Sequence, residues 1–197
     1  MSLSQLSTHF LKQELAYTGV ELSPHFLLSR LGLKGQSLGA FIGGCDVKTE
    51  HLVDWEDRLV SDHIKAKWMV HFIGEFFGAT LREGVWIQRL FMATLAESLN
   101  ESLIQAGGPR VRRSGDDLFV GEGDHARKLS VSIVTASPVS VLMHSGINID
   151  PEGAPVPAIG LSELGVAPEQ WVPEVLSRFQ QEWESIQWAC TKVRAVV

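Results

Sequence analysis

Cysteine is scarce: Cys45 and Cys190 are the only two in 197 residues. Two distant cysteines exclude a disulfide scaffold and a four-cysteine zinc site, and they fit a reducing, cytoplasmic setting. A basic excess is missing too. Seventeen Lys and Arg stand against 23 Asp and Glu, a formal charge of −6, which argues against nucleic acid as a partner. No uncharged apolar run nears the ~18 residues of a membrane span, so no membrane partner is expected. Met1 to Phe10 carry neither a basic start nor an apolar stretch, which reads against a secretory signal. Internal repeats, metal-ligand spacings, a G-x-x-x-x-G-K phosphate loop and a G-x-S-x-G elbow are absent.

What is there can build a core. Apolar residues make up 45%, with 9 Phe and 6 Trp, which excludes global disorder. The length suits one domain. Asp150 to Gly160, with three prolines, reads as a surface loop within it.

The spacing predicts two long helices. Over Leu81 to Gln105, Leu81, Val85, Met92, Leu95, Leu99 and Leu103 recur at helical period, and Gly107-Gly108-Pro109 stops the run. Over Val172 to Val193, Val175, Leu176, Phe179, Trp183 and Ile186 form a second stripe. Ser23-Pro24 reads as the cap and first residue of a short helix ending near Leu31. Ser37 to Ile42 reads as a buried strand ended by Gly43-Gly44, and Trp68 to Phe77 as another. Leu129 to Thr135 and Val139 to Ile149 read as strands joined at Ser137-Pro138. Helices flanking strands that adjoin in sequence predict an α+β fold with a mainly antiparallel sheet.

Polar groups interrupt these strands. Alternation puts Lys128, Ser130 and Ser132 on one face, and His144, Gly146 and Asn148 in a row on the next strand. If the pairing register is even, the two rows line one cavity; an odd register without a bulge separates them. His71 and Glu75 share a face of the Trp68–Phe77 run and are a candidate acid–base pair. Cys45 is a candidate nucleophile or a small buried hydrophobe. Asp54, Glu56 and Asp57 mark a helix start or a magnesium site.

The order Arg113-Ser114-Gly115-Asp116-Asp117-Leu118, Arg127-Lys128-Leu129, Gly146-Ile147-Asn148-Ile149 resembles the core of the biotin and lipoate protein-ligase superfamily. Nearly the whole chain also resembles an uncharacterised prokaryotic group related to those ligases, domain-of-unknown-function family 366. Gly44-Cys45-Asp46-Val47-Lys48, Val53-Asp54-Trp55-Glu56-Asp57 and His71-Phe72-Ile73-Gly74-Glu75 carry that second likeness. The resemblance implies a class-II-synthetase-like fold over residues 1–197 as one ligase-like domain. It implies a small carboxylic acid or its acyl-adenylate as ligand, in acyl or adenylyl transfer, with ATP and magnesium as cofactors. Lys128 would contact the acid's carboxyl, Asp117 would match the acidic residue near the nucleotide or metal, and Asn148 would stand at the site wall. A non-catalytic binding or oligomeric protein that kept the fold is the other class, and a homo-oligomer is left open. Two departures accompany the likeness. Val131 stands where the ligases carry glycine, and Gly43 to Lys48 is the nearest stand-in for their arginine- and glycine-rich loop, with one basic residue.

Overall fold

The computed structural model describes residues 5–60 and 63–196; Met1 to Ser4 of the N-terminal reading lie outside them. In chain order its elements are β1 (Ser7–Phe10), α1 (Phe26–Leu31), β2 (Ser37–Val47), α2 (Trp55–Leu59), β3 (Ile64–Phe77), α3 (Leu81–Gln105), β4 (Val111–Ser114), β5 (Asp117–Val120), β6 (Arg127–Lys128), β7 (Ser130–Ala136), β8 (Ser140–Asp150), α4 (Leu161–Leu164) and α5 (Pro168–Thr191). Strands β1-β2-β3-β8-β7 form one sheet and β4-β5-β6 a second. Of the neighbouring strand pairs, only β1 with β2 is parallel. The fold is therefore α+β with a mainly antiparallel sheet. Among the described residues no helix is long and apolar enough to cross a membrane.

The dense apolar run predicted as a strand is β3, at the centre of the large sheet, and apolar groups on both its faces are buried. On one face Val70, Phe72 and Phe76 meet the apolar stripes of α3 and α5. Phe72 is fully buried, with its ring edge-on to Phe91 at 5.1 Å and to Trp171 at 6.2 Å. On the other face Met69 and Ile73 pack with Tyr17, Leu27 and Phe41. Helix α3 spans the predicted residues and starts on a capping box, Thr80 with Glu83.

Several boundaries move, each for a local reason. Helix α1 begins at Phe26, and its cap is His25 at φ 62° rather than Ser23. The buried carboxylate of Glu75 accepts from the His25 amide at 2.9 and 3.1 Å, so a tertiary partner replaces the local cap. Helix α5 starts at Pro168, not Val172, because proline suits the first helical position. Gly43-Gly44 does not end β2. Pairing with β3 continues to Val47 across a register shift between Gly43 and Cys45. A Cβ on Gly43 would lie 2.0 Å from the Leu15 carbonyl oxygen, so this glycine serves a close backbone approach. Gly43→Ala should cost about 2–3 kcal/mol, because backbone must shift to admit the methyl. Equilibrium urea unfolding checks this; a loss under ~0.5 kcal/mol would contradict it.

Lys128 is not on the strand assigned to it. It ends β6 in the small sheet, and β7 begins at Ser130. Leu129 is the crossing point: its amide donates to Leu118 O at 2.8 Å, and its carbonyl accepts from the Asn148 amide at 2.9 Å.

Candidate functional site

A pocket of about 280 Å3 opens on the face of the large sheet turned away from α3 and α5. Tyr17, Met69, His144 and Asn148 line it from the sheet and its N-terminal cover. Asp117 and Lys128 line it from the small sheet, and Asp54 and Asp57 from α2 and its cap.

Lys128 is fixed by its backbone on two sides. It pairs with Phe119 of β5, its amide donates to Pro157 O at 2.9 Å, and its carbonyl accepts from the Ile159 amide at 3.0 Å. Asn148 locks this crossing: Nδ2 donates to Lys128 O and Ile159 O, both at 3.2 Å. Asn148 thus holds the site wall together, which motif order alone does not reveal. The Lys128 ammonium lies 2.9 Å from Asp117 Oδ2. Burial pushes the Asp117 carboxyl up from its ordinary value, and the lysine opposes that only in part.

The register between β7 and β8 is odd, with Ser130 opposite Ile147 and Ser132 opposite Ser145, and no bulge intervenes. The shared face predicted for Ser130 and His144 is therefore corrected. Pro138-Val139 is a two-residue turn, which sends the two rows to opposite sides. Ser130 and Ser132 border the pocket, yet their hydroxyls serve the fold. Ser130 Oγ accepts from Leu118 N at 2.8 Å, and Ser132 Oγ accepts from Gln88 Nε2 at 2.9 Å. Lys128 still joins His144 and Asn148 in one pocket, because it reaches there from the other sheet.

His71 and Glu75 do not form an acid–base pair. Glu75 accepts from His25 N and from Ser140 Oγ, the latter at 2.7 Å. His71 instead meets His144, with Nδ1 3.1 Å from His144 Nε2, and its own Nε2 lies 3.3 Å from Gly43 O. Burial holds both imidazoles neutral: His71 falls to about 3, and His144 well below its ordinary value, with His71 adding to the effect. Tyr17, the chain's single tyrosine, stacks on His144 at 3.8 Å between centroids. Its role was invisible in the sequence, since the contact joins positions far apart on separate elements.

Gly146 makes room for a neighbour rather than for a ligand. A Cβ there would lie 2.7 Å from Met69 Cε. Cys45 is buried, its thiol pushed up to about 12 chiefly by burial, and it lies outside the pocket lining. A thiolate nucleophile is thus not presented to the pocket. Asp54 caps α2, accepting from Glu56 N at 2.7 Å, so the acidic cluster marks a helix start. Among the described residues no group of three or more His, Cys, Asp or Glu is placed to hold a metal ion.

A family model described as domain of unknown function (DUF366) matches residues 6–194. The chain belongs to the DUF366 family. A protein of unknown function from Pyrococcus horikoshi superposes with a TM-score of 0.87 at 35% identity, covering 98% of this chain and 100% of that one. The DUF366 fold is also that of the biotin and lipoate ligases, a class-II-synthetase-like fold. A mutant biotin protein ligase from Aquifex aeolicus, in complex with biotin, gives a TM-score of 0.52 at 17% identity over 89% of this chain and 69% of that one. A protein of T. acidophilum provisionally assigned as a lipoate protein ligase, with bound lipoic acid, gives 0.50 at 14% identity over 90% and 85%. At such identities the DUF366 chain shares the fold of these proteins, and their ligands are properties of their own sites.

Proposed function

We propose that the pocket binds a small carboxylic acid, with Lys128 as the anchor of its carboxylate, in a single ligase-like domain. The observation that carries this reading is the Lys128 ammonium, fixed on a strand end at the pocket with Asp117 2.9 Å away. An ammonium has three donors. Asp117 takes one, which leaves two for an incoming carboxylate.

The nucleotide implied by the fold family does not fit these residues. Four aspartates line the pocket, Asp54, Asp57, Asp116 and Asp117, against two lysines, Lys65 and Lys128. Lys128 is already engaged by Asp117 at 2.9 Å, so the lining has too little cationic capacity for the several charges of a triphosphate, whereas one carboxylate needs only the remaining ammonium donors. Of Gly43 to Lys48, the nearest stand-in for the ligases' arginine- and glycine-rich loop, all but the last residue lies in β2, which pairs with β3 across a register shift between Gly43 and Cys45. Its Asp46 amide donates to Tyr17 O. The shortage of cations beside Lys128 and the paired strand in place of a phosphate-gripping loop favour a binding protein that retains the fold without the nucleotide chemistry.

The test is a thermal-shift and calorimetry screen of biotin, lipoate and octanoate, each with and without ATP. An acid at a hundred times its Kd should stabilise by about 2.7 kcal/mol. Lys128→Ala should melt within a few degrees of wild type yet bind roughly ten- to a hundredfold more weakly, the loss of a charge-assisted bond of about 1.5–3 kcal/mol. Lys128→Arg should rescue only in part, since a planar fork does not replace a compact ammonium. Unchanged affinity in the alanine variant overturns the anchor, and acid-dependent pyrophosphate release from ATP overturns the non-catalytic reading.

A further inference from the structure

The buried histidine pair has one consistent arrangement of hydrogens. Gly43 O can only accept, so His71 Nε2 must carry the hydrogen directed at it. A neutral His71 then has a bare Nδ1. That nitrogen lies 3.1 Å from His144 Nε2, which must therefore be the N–H donor. With both rings neutral, His144 Nδ1 is left as a bare acceptor. Among the described residues no protein group hydrogen-bonds to it, and His144 lines the pocket. The ring cannot turn freely to present another atom. Tyr17 stacks on it at 3.8 Å, and His71 is bonded to its far edge.

We propose that His144 Nδ1 is a specificity-determining acceptor of this pocket, and that the ligand carries an N–H or O–H donor at a point remote from its carboxylate. The carboxylate end rests on the reading of Lys128 given above; the donor end does not. The backbone that carries Lys128 is well separated from His144: Asn148, whose amide grips the Lys128 carbonyl, is four residues along β8 from His144, about 13 Å at the usual rise of a strand. A ligand that satisfies both groups is elongated, with an apolar middle facing Met69 and Val131 and a neutral donor at its far end. His71 acts here as a positioning residue. Its bond to Gly43 fixes the tautomer of His144, as an outer-layer partner commonly does for a histidine. An acceptor that a bound ligand covers without meeting costs binding, so a ligand lacking the donor is selected against.

The experiment uses the whole chain and three probes: 8-hydroxyoctanoate, octanoate and 1,8-octanediol. Long-range 15N–1H correlation of the wild type should show both His71 and His144 as Nε2–H tautomers. The His144 Nδ1 resonance should move upfield on addition of either hydroxylated probe and stay put with octanoate. By calorimetry, 8-hydroxyoctanoate should bind roughly tenfold tighter than octanoate, and His144→Phe should abolish that difference, with octanoate bound no more weakly than by the wild type. A shift with the diol but no binding of either acid would overturn the carboxylate reading and uphold the acceptor. An Nδ1–H tautomer, or an Nδ1 resonance unmoved by both hydroxylated probes, overturns the acceptor. The tautomer measurement needs no variant, so a poorly folded His144→Phe leaves the proposal testable.

Discussion

Replacing Phe72 by alanine should lower the unfolding free energy by about 3–5 kcal/mol. The ring is fully buried at the centre of the sheet. It contacts Phe91 of α3 and Trp171 of α5 edge-on, so a single side chain ties the sheet to both long helices. Phe91 in turn meets Phe179 at 4.9 Å. Removing the Phe72 ring leaves a cavity against two aromatic groups, Phe91 and Trp171, that are themselves held by helix backbones and can collapse only slightly. For a chain of this size the loss corresponds to a melting temperature lower by roughly 6–20 °C. Scanning calorimetry with denaturant unfolding measures it. A cost below ~1 kcal/mol would mean the helices are not anchored through this ring.

Acid should destabilise the protein well before its carboxylates titrate. His71 and His144 are held neutral in the fold, His71 down to about 3, while the unfolded chain binds their protons near the usual imidazole value of ~6.5. The folded pKa values are depressed, so below ~6.5 the unfolded state holds more protons and stability falls as pH falls. Above that value neither state is protonated and the effect vanishes. Two such groups should together remove about 2–3 kcal/mol between pH 7 and pH 5.5. Asp117 runs the other way, since its raised carboxyl takes up a proton more readily when folded. Urea midpoints across pH 5–8 read the slope, and His144→Phe should roughly halve it. A flat profile from pH 7 to pH 5.5 would exclude a neutral buried pair.

Periodicity made the long elements legible. The stripe from Leu81 to Leu103 gave α3 to the residue, while the dense apolar run Trp68–Phe77 and the segment Val139–Ile149 gave most of β3 and β8. What periodicity could not reach was every feature set by a partner distant in sequence. The start of α1 depends on the Glu75 carboxylate, fifty residues on. The face of Ser130 depends on a turn two residues long, Pro138-Val139, and one residue more would have reversed it. Lys128 looked like the first residue of β7, and only Leu129 bonding to both sheets reveals the crossing. The candidate site was legible to the same degree. Lys128, Asp117, His144 and Asn148 do line one pocket, while Tyr17, Met69 and the loop around Ala154 join it through tertiary contacts alone.

The pairing of β3 has a consequence for synthesis. Its first neighbour, β2, precedes it closely, but Phe77 must wait for Ser140 and Trp68 for Asp150. A ribosome adding about 5–20 residues per second leaves that side of the strand bare for several seconds. During that interval a fourteen-residue, largely apolar strand offers unmatched amides and carbonyls to any other nascent chain. Helix α3, emerging immediately afterwards with its own cap, covers one face but not the edge. Yield of native protein should therefore depend on chaperone supply and on translation speed across Leu81 to Pro138 more than on the strength of the finished core.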